Sequence, residues 1–128
     1  MNDPLLNEPF VRLFVGTLVG LVLGSFTTML SYRLPRGLSI VSPPSTCPSC
    51  GSHLTPRDLI PVVSWLIGRG RCRHCAAPIG TRYVVIELIT TASIAAAFVV
   101  FGFTWALIVA LIVIIALITT TTIYCERR

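Results

Sequence analysis

The feature that constrains this chain most is an uninterrupted run of 38 uncharged residues from Leu88 to Cys125. As a single helix this run would be about 57 Å long, nearly twice the thickness of the hydrocarbon core of a bilayer. Two membrane helices fit it better, separated where Gly102 permits a turn and the neighbouring aromatic residues suit the membrane interface. We therefore predict transmembrane helices over residues 84–101 and 104–124.

A third apolar segment lies near the N-terminus, where 20 uncharged residues separate Arg12 from Arg33. At about 1.5 Å per residue they reach roughly 30 Å, so we predict another transmembrane helix over residues 10–32. One face of this helix carries glycines spaced four residues apart, Gly16, Gly20 and Gly24. A face without side chains is predicted to let a second helix approach closely.

The distribution of charge predicts the orientation of these helices. The net charge of +5 reflects ten basic residues, all arginine, and most of them lie between the first two predicted helices. Short arginine-rich loops stay in the cytoplasm, so residues 33–83 and the tail 125–128 are predicted to be cytoplasmic. Residues 1–9, which carry Asp3 and Glu8, are predicted to be periplasmic. They lack the positive region of a cleaved secretory signal, so we expect the first helix to remain as an anchor.

Two Cys-x-x-Cys pairs, Cys47 with Cys50 and Cys72 with Cys75, lie in the predicted cytoplasmic loop. Their spacing is typical of a tetrahedral four-thiolate zinc site, and a loop of about 50 residues needs such a cross-link to hold a fold. Disulfides are the alternative, but the reducing cytoplasm disfavours them. We therefore predict a small structural zinc-binding domain. His53 and His74 lie beside the cysteines but are not needed as ligands.

Four further residues have predicted roles. Asp58 is expected to cap a short, mostly apolar helix that Gly68 ends. Cys125, at the membrane boundary, is expected to be a packed free thiol, with acylation as the alternative. Glu87 is expected either to lie at headgroup depth or to pair with an arginine, because a charge within a span is costly. The candidate partners of Glu87 are Arg33, Arg36 and Arg82.

The central half of the chain resembles the N-terminal region of bacterial type IV prepilin peptidases. The resemblance runs from Gly24 to Glu87 and includes both cysteine pairs. Its other motifs are Gly24-Ser25-Phe26, Tyr32-Arg33-Leu34-Pro35, Pro43-Pro44-Ser45, Ile60-Pro61-Val62, Ser64-Trp65-Leu66 and Arg82-Tyr83. It implies a polytopic inner-membrane aspartic protease that removes the leader of type IV pilins and type II secretion pseudopilins. Many members also methylate the new N-terminus with S-adenosylmethionine.

The chain departs from that family at the catalytic residues. The family uses two aspartates near the cytoplasmic face, one of them in a later Gly-x-Gly-Asp motif, whereas this sequence contains only Asp3 and Asp58. Hydrolysis by paired carboxylates requires both at one water. We therefore predict no catalytic residues here and no peptidase activity by this chain alone.

The predicted fold class is an all-α membrane protein with three transmembrane helices and a cytoplasmic four-cysteine zinc insert between the first and second. The favoured function is a non-proteolytic module that docks prepilin or pseudopilin, with a separate catalytic half or an assembly component as further partner. The glycine face is a candidate surface for such a partner. The alternatives are retained N-methyltransferase activity, for which no glycine-rich nucleotide loop is visible, and a structural membrane adaptor. Arginines beside spans are explained by orientation and lipid, so we expect no nucleic-acid binding.

Overall fold

The computed structural model describes residues 3–128, and these form helices without any β-strand. Residues 1 and 2 of the predicted N-terminal segment lie outside the described residues. The helices, in chain order, are α1 Pro4–Asn7, α2 Pro9–Arg33, α3 Val63–Ile67, α4 Thr81–Phe101 and α5 Trp105–Arg127. The helices α2, α4 and α5 are long and apolar enough to cross a membrane. The predicted fold class, three such helices with a four-cysteine cluster between the first and second, is confirmed.

The ends of α4 and α5 differ by a few residues from the ends predicted from the sequence. α4 begins at Thr81, three residues before the predicted start, and its first turn therefore includes Arg82. The turn between α4 and α5 lies at Gly102, whose φ of 58° is in the left-handed region that glycine tolerates best. α5 continues to Arg127, beyond the predicted end at residue 124.

The glycine face of α2 packs directly on α4, as the sequence predicted for a second helix. Gly16, Gly20 and Gly24 are all buried. A Cβ atom at Gly16 would lie 2.8 Å from the Phe98 Cβ, and one at Gly20 would lie 2.8 Å from the Thr91 Cα. The expectation that this face awaits a partner or a prepilin helix is therefore wrong, because α4 of the same chain covers it.

The three long helices are packed differently at their two ends. Away from the cysteine loop, the core is apolar and consists of Ile94, Ala97, Phe98 and Leu107. Nearer the loop it contains hydroxyl side chains, Thr27, Thr28, Ser31, Thr90, Thr91 and Thr119. All of these except Thr119 donate to a carbonyl of their own helix, which satisfies them where water is absent.

α5 is peripheral to the pair formed by α2 and α4. Half of the apolar window of α4 is buried within the chain, compared with 11% of that of α5. Leu107 and Thr119 are the buried residues of α5. The outward surface of α5 is almost continuously apolar, which suits a helix surrounded by lipid.

The short helix in the loop differs from the prediction at its start. α3 covers only Val63–Ile67, and its N-terminal cap is Val62, which has a φ of 59° and offers no side-chain hydrogen bond. Asp58 is therefore not a helix cap; instead its carboxylate accepts bonds from the backbone N–H and hydroxyl of Thr55 at 3.0 and 2.6 Å. Gly68 ends the helix as expected.

Candidate metal centre

The two Cys-x-x-Cys turns are local structures of the same kind, repeated 25 residues apart (47 to 72 and 50 to 75). In the first turn the N–H of Gly51 donates to the Cys47 carbonyl at 2.8 Å, and in the second Ala76 donates to Cys72 at 2.9 Å. Gly51 and Ala76 have φ values of 70° and 56°. Ala76 thus adopts the left-handed conformation that its side chain disfavours, which indicates that the turn around the sulfurs dictates the backbone.

The four thiols converge on one point. The Sγ atoms of Cys47, Cys50, Cys72 and Cys75 all lie within 4.8 Å of one another. No disulfide is present, and Cys47 Sγ lies 3.9 Å from Cys75 Sγ. Tetrahedral zinc–thiolate bonds of about 2.3 Å place their sulfurs about 3.8 Å apart, so the donor set and its size fit such an ion. His53 and His74 are not members of the group.

Backbone and hydroxyl donors around the sulfurs favour their anionic form at two positions. The hydroxyl and backbone N–H of Ser52 lower the pKa of Cys50 to about 6. The N–H groups of Cys75 and His74 lower the pKa of Cys72. The N–H of Ala77 acts in the same direction on Cys75, but burial and the neighbouring thiols outweigh it and raise the pKa of Cys75 to about 11. When several of these cysteines are thiolates, their negative charges repel one another. A cation bound among the sulfurs would offset that repulsion.

α3 is packed against the second cysteine turn through Trp65. Its indole Nε1 donates to the Ile79 carbonyl at 3.2 Å. Gly70, with a φ of 67°, lies so close that an added Cβ would be 2.8 Å from the Trp65 ring. The N–H of Ile79 donates back to the Gly70 carbonyl at 2.7 Å. The Trp65 ring therefore provides an apolar surface on which the second cysteine turn packs.

Glu87 joins this domain to α4, and not through an arginine as the sequence suggested. Its Oε2 accepts a hydrogen bond of 2.8 Å from the backbone N–H of Val62, the residue that precedes α3. Arg33 instead donates to the carbonyls of Ser39 and Pro43 at 2.5 and 2.7 Å. The predicted pairing of Glu87 with an arginine is therefore wrong, while its position at headgroup depth stays a prediction. Arg33 thus holds the beginning of the loop to α2, and Glu87 holds the residue before α3, in the middle of the loop, to α4.

Arg36 and Arg82 share one carboxylate, that of Glu126 near the end of α5. Arg82 donates a hydrogen bond to Glu126 Oε1, and Arg36 forms an ion pair with the same oxygen at 3.7 Å. Glu126 was not among the residues predicted from the sequence, although it is the one acidic residue after Glu87. Cys125 beside it is exposed, so the prediction of a packed thiol is wrong for this chain.

The two aspartates lie at opposite ends of the helix bundle. Asp3 caps α1, ahead of α2, while Asp58 lies in the loop between α2 and α4. Asp58 is also 3.5 Å from Arg73, and the donors of Thr55 with this charge lower its pKa. Since α2 separates them, these aspartates do not form a carboxylate pair.

Comparison with known proteins identifies the family. The family model described as the Bacterial Peptidase A24 N-terminal domain matches residues 18–101, a stretch that contains all four clustered cysteines. The chain belongs to this family. The resemblance seen in the sequence is thereby confirmed.

Curated relatives of this A24 N-terminal domain chain carry the name prepilin leader peptidase/N-methyltransferase. The relative from Myxococcus xanthus is 43% identical over 84% of this chain and 31% of its own length. The one from Bacillus subtilis is 42% identical over 77% of the chain and 40% of its own length. The one from Pseudomonas aeruginosa is 34% identical over 80% and 43%. The chain thus spans less than half the length of these relatives, and no solved structure matches it.

Proposed function

We propose that this chain is the zinc-binding N-terminal half of a prepilin-peptidase-like inner-membrane protein. In this proposal it docks a type IV prepilin or a type II secretion pseudopilin for cleavage by aspartates that its own residues do not supply. The observation that carries the proposal is the four-thiol cluster, which lies in a loop that Arg33 and Glu87 hold to α2 and α4. Its family membership and the names of its relatives supply the substrate class.

The proposed role of zinc is structural. Cys47, Cys50, Cys72 and Cys75 would hold the ion, and four protein thiolates leave no open coordination position for a substrate or water. When bound, zinc supplies a cross-link between the two cysteine turns. Ser52 and the backbone N–H groups of the turns hold the sulfurs in place and favour thiolates. The loop can then present a fixed surface beside the membrane.

The metal assignment is tested on the purified full chain by elemental analysis. We expect one zinc per chain, and loss of that zinc in Cys47→Ser. Cys125→Ser is the matched control, because Cys125 lies outside the cluster, and it is expected to retain the metal. A wild-type chain without bound metal after purification in zinc-containing medium would refute the assignment.

The proposed orientation places the cysteine loop and the end of α5 in the cytoplasm. Arginines between α2 and α4, and at the end of α5, support this by the bias of basic residues toward the cytoplasmic side. A membrane-impermeant thiol reagent tests it on intact spheroplasts. We expect Cys125 to be labelled only after the membrane is opened, and labelling of closed spheroplasts would contradict the orientation.

Docking without cleavage is tested by co-expressing this chain with a prepilin. Alone, the chain is expected to capture the prepilin by cross-linking but leave its leader intact, since Asp3 and Asp58 lie apart. Leader cleavage is expected only when an aspartate-bearing half of a relative is supplied. Cleavage by this chain alone, lost in Asp58→Asn, would refute the proposal.

N-methyltransferase activity is the second candidate, favoured by the names of the relatives. Transfer of a labelled methyl group from S-adenosylmethionine to a processed pilin, by the purified chain, would establish it. We expect no transfer, because neither the glycine-rich loop of a nucleotide site nor an enclosed cavity for such a cofactor is found in the described part of the chain.

A further inference from the structure

A groove of about 480 Å³ lies between α4 and α5, at the end of the bundle that carries the cysteine loop. It is bounded by one stripe on each helix. On α4 the stripe includes Arg82, Val85 and Ile86, and on α5 it includes Thr122 and Glu126. Because the helices are antiparallel, Arg82 and Glu126 lie together at the mouth of the groove while the remaining residues line its interior.

The mouth of the groove carries a net positive charge. Arg36 and Arg82 both pair with Glu126, so two cations share one anion. The Arg82 side chain is 41% exposed even in this pair. A guanidinium has five N–H donors, more than one shared carboxylate oxygen can accept, so Arg82 retains donors that face outward. An anion placed there would complete the charge balance.

The interior of the groove lies along the part of α4 that is apolar enough to cross a membrane. Val85 and Ile86 lie three and four residues beyond Arg82, which places them about 5–6 Å further along α4. Val85 is half exposed, and the groove around it is lined by the hydroxyl residues Thr81, Thr121 and Thr122 as well as by apolar side chains. The hydroxyl of Thr122 is bonded to the Ile118 carbonyl of its own helix and does not offer a donor to the groove. The site thus combines a cationic mouth with an apolar, outward-opening slot.

We propose that this groove binds one anionic phospholipid, with the phosphate group at Arg82 and an acyl chain along Val85 and Ile86. Charge complementarity at the mouth favours an anion, and basic pockets between membrane helices suit anionic headgroups. The apolar interior favours a lipid over free phosphate, which would leave the slot empty. This site does not depend on the zinc cluster or on pilin processing.

The test is native mass spectrometry of the purified full chain titrated with dioleoylphosphatidylglycerol. Dioleoylphosphatidylcholine, which has the same chains and phosphodiester but no net charge, is the comparison lipid. We expect one phosphatidylglycerol to bind in preference to phosphatidylcholine. Arg82→Gln is expected to weaken the phosphatidylglycerol complex about fivefold, as for loss of one basic residue near a lipid surface. Arg57→Gln, the same change at an exposed loop arginine, is expected to have no effect.

Glu126→Gln separates lipid binding from a merely structural ion pair. Removing this carboxylate leaves Arg36 and Arg82 uncompensated, so phosphatidylglycerol is expected to bind more tightly. A structural role alone would make Arg82→Gln and Glu126→Gln weaken binding alike, and that result would overturn the proposal.

A second pair of variants tests the apolar slot without changing charge. Val85→Phe fills the groove and is expected to remove the preferred lipid. Leu88→Phe, at an equally exposed position on α4 outside the groove, is expected to leave binding unchanged. Equal binding of the two lipids, equal effects of the two phenylalanine variants, or full competition by millimolar inorganic phosphate would each overturn the assignment.

Discussion

Gly20→Ala tests the contact on which the bundle most depends. The added Cβ would lie 2.8 Å from the Thr91 Cα and 3.0 Å from the Thr91 carbonyl oxygen. Ordinary van der Waals contact begins at 3.4 Å, so α2 and α4 must separate by about 0.6 Å, since both atoms belong to backbone that no rotamer change can move. Overpacking of this kind costs about 1–3 kcal/mol.

Helix propensity favours alanine and so opposes the cost of overpacking. The sign of the measured change in the free energy of unfolding is therefore informative. Alanine is favoured over glycine in a helix interior by about 1 kcal/mol. The net effect of Gly20→Ala is therefore a destabilisation of about 1 kcal/mol if α2 and α4 are in contact. If the glycine faced lipid, the same substitution would stabilise the chain by about 1 kcal/mol.

The assay is equilibrium unfolding in mixed micelles of dodecyl maltoside and sodium dodecyl sulfate, followed by circular dichroism. Val22→Leu is the control, because it also adds one carbon to α2 but at an outward-facing position that is 67% exposed. We expect the control to lie within about 0.5 kcal/mol of the parent chain. Stability equal to or above the parent in Gly20→Ala would refute the close packing of the glycine face on α4.

Three further predictions concern the loop. Glu87→Ala removes the acceptor of the Val62 N–H. Hydrogen exchange at Val62 is therefore expected to accelerate about tenfold to a hundredfold. The control Glu87→Gln keeps an acceptor and is expected to change the exchange rate less. Thr55→Val removes the hydroxyl donor that most lowers the pKa of Asp58, so a carbon-13 titration is expected to show this pKa returning toward 3.8. Folding lowers the pKa of Asp58, so the stability from its carboxylate is present above pH 3.8 and lost as the pH falls through the folded value; Thr55→Val shrinks this dependence. Removing metal with a strong chelator is expected to make the loop sensitive to protease while the far-ultraviolet circular dichroism of the three long helices persists.

The sequence predicted those features that depend on composition and local spacing. The three long apolar helices follow from runs of uncharged residues, because the bilayer sets both their length and their polarity. The convergence of four thiols follows from two Cys-x-x-Cys turns, and the close packing of Gly20 follows from the missing side chains on one helix face. Each of these depends on a pattern of residues that is visible in the linear sequence.

Contacts between residues that are far apart in the sequence could not be predicted from composition and local spacing. Glu87 was expected either to lie at headgroup depth or to pair with an arginine, yet its carboxylate accepts a hydrogen bond from the backbone N–H of Val62. That N–H lacks a backbone partner only once the turn before α3 has folded. Asp58 precedes a helix in sequence, but the irregular stretch before Val63 leaves its carboxylate to Thr55. Backbone donors have no sequence signature, so partner choice depended on tertiary structure.

Because α5 is only slightly buried, the molecule consists of a closely packed pair, α2 and α4, and a third helix at its side. Cutting the chain at Gly102 would leave a hairpin of α2 and α4 that keeps all four sulfurs and every contact of the glycine face, and a detached helix that keeps neither. α5 is fastened at one end by the ion-pair cluster centred on Glu126, and towards the other by Leu107 and the partly buried Ala110, Leu111 and Ile114. The third helix therefore presents most of its surface to its surroundings, so that replacing lipid there by a protein neighbour would leave the contacts between α2, α4 and the four thiols in place.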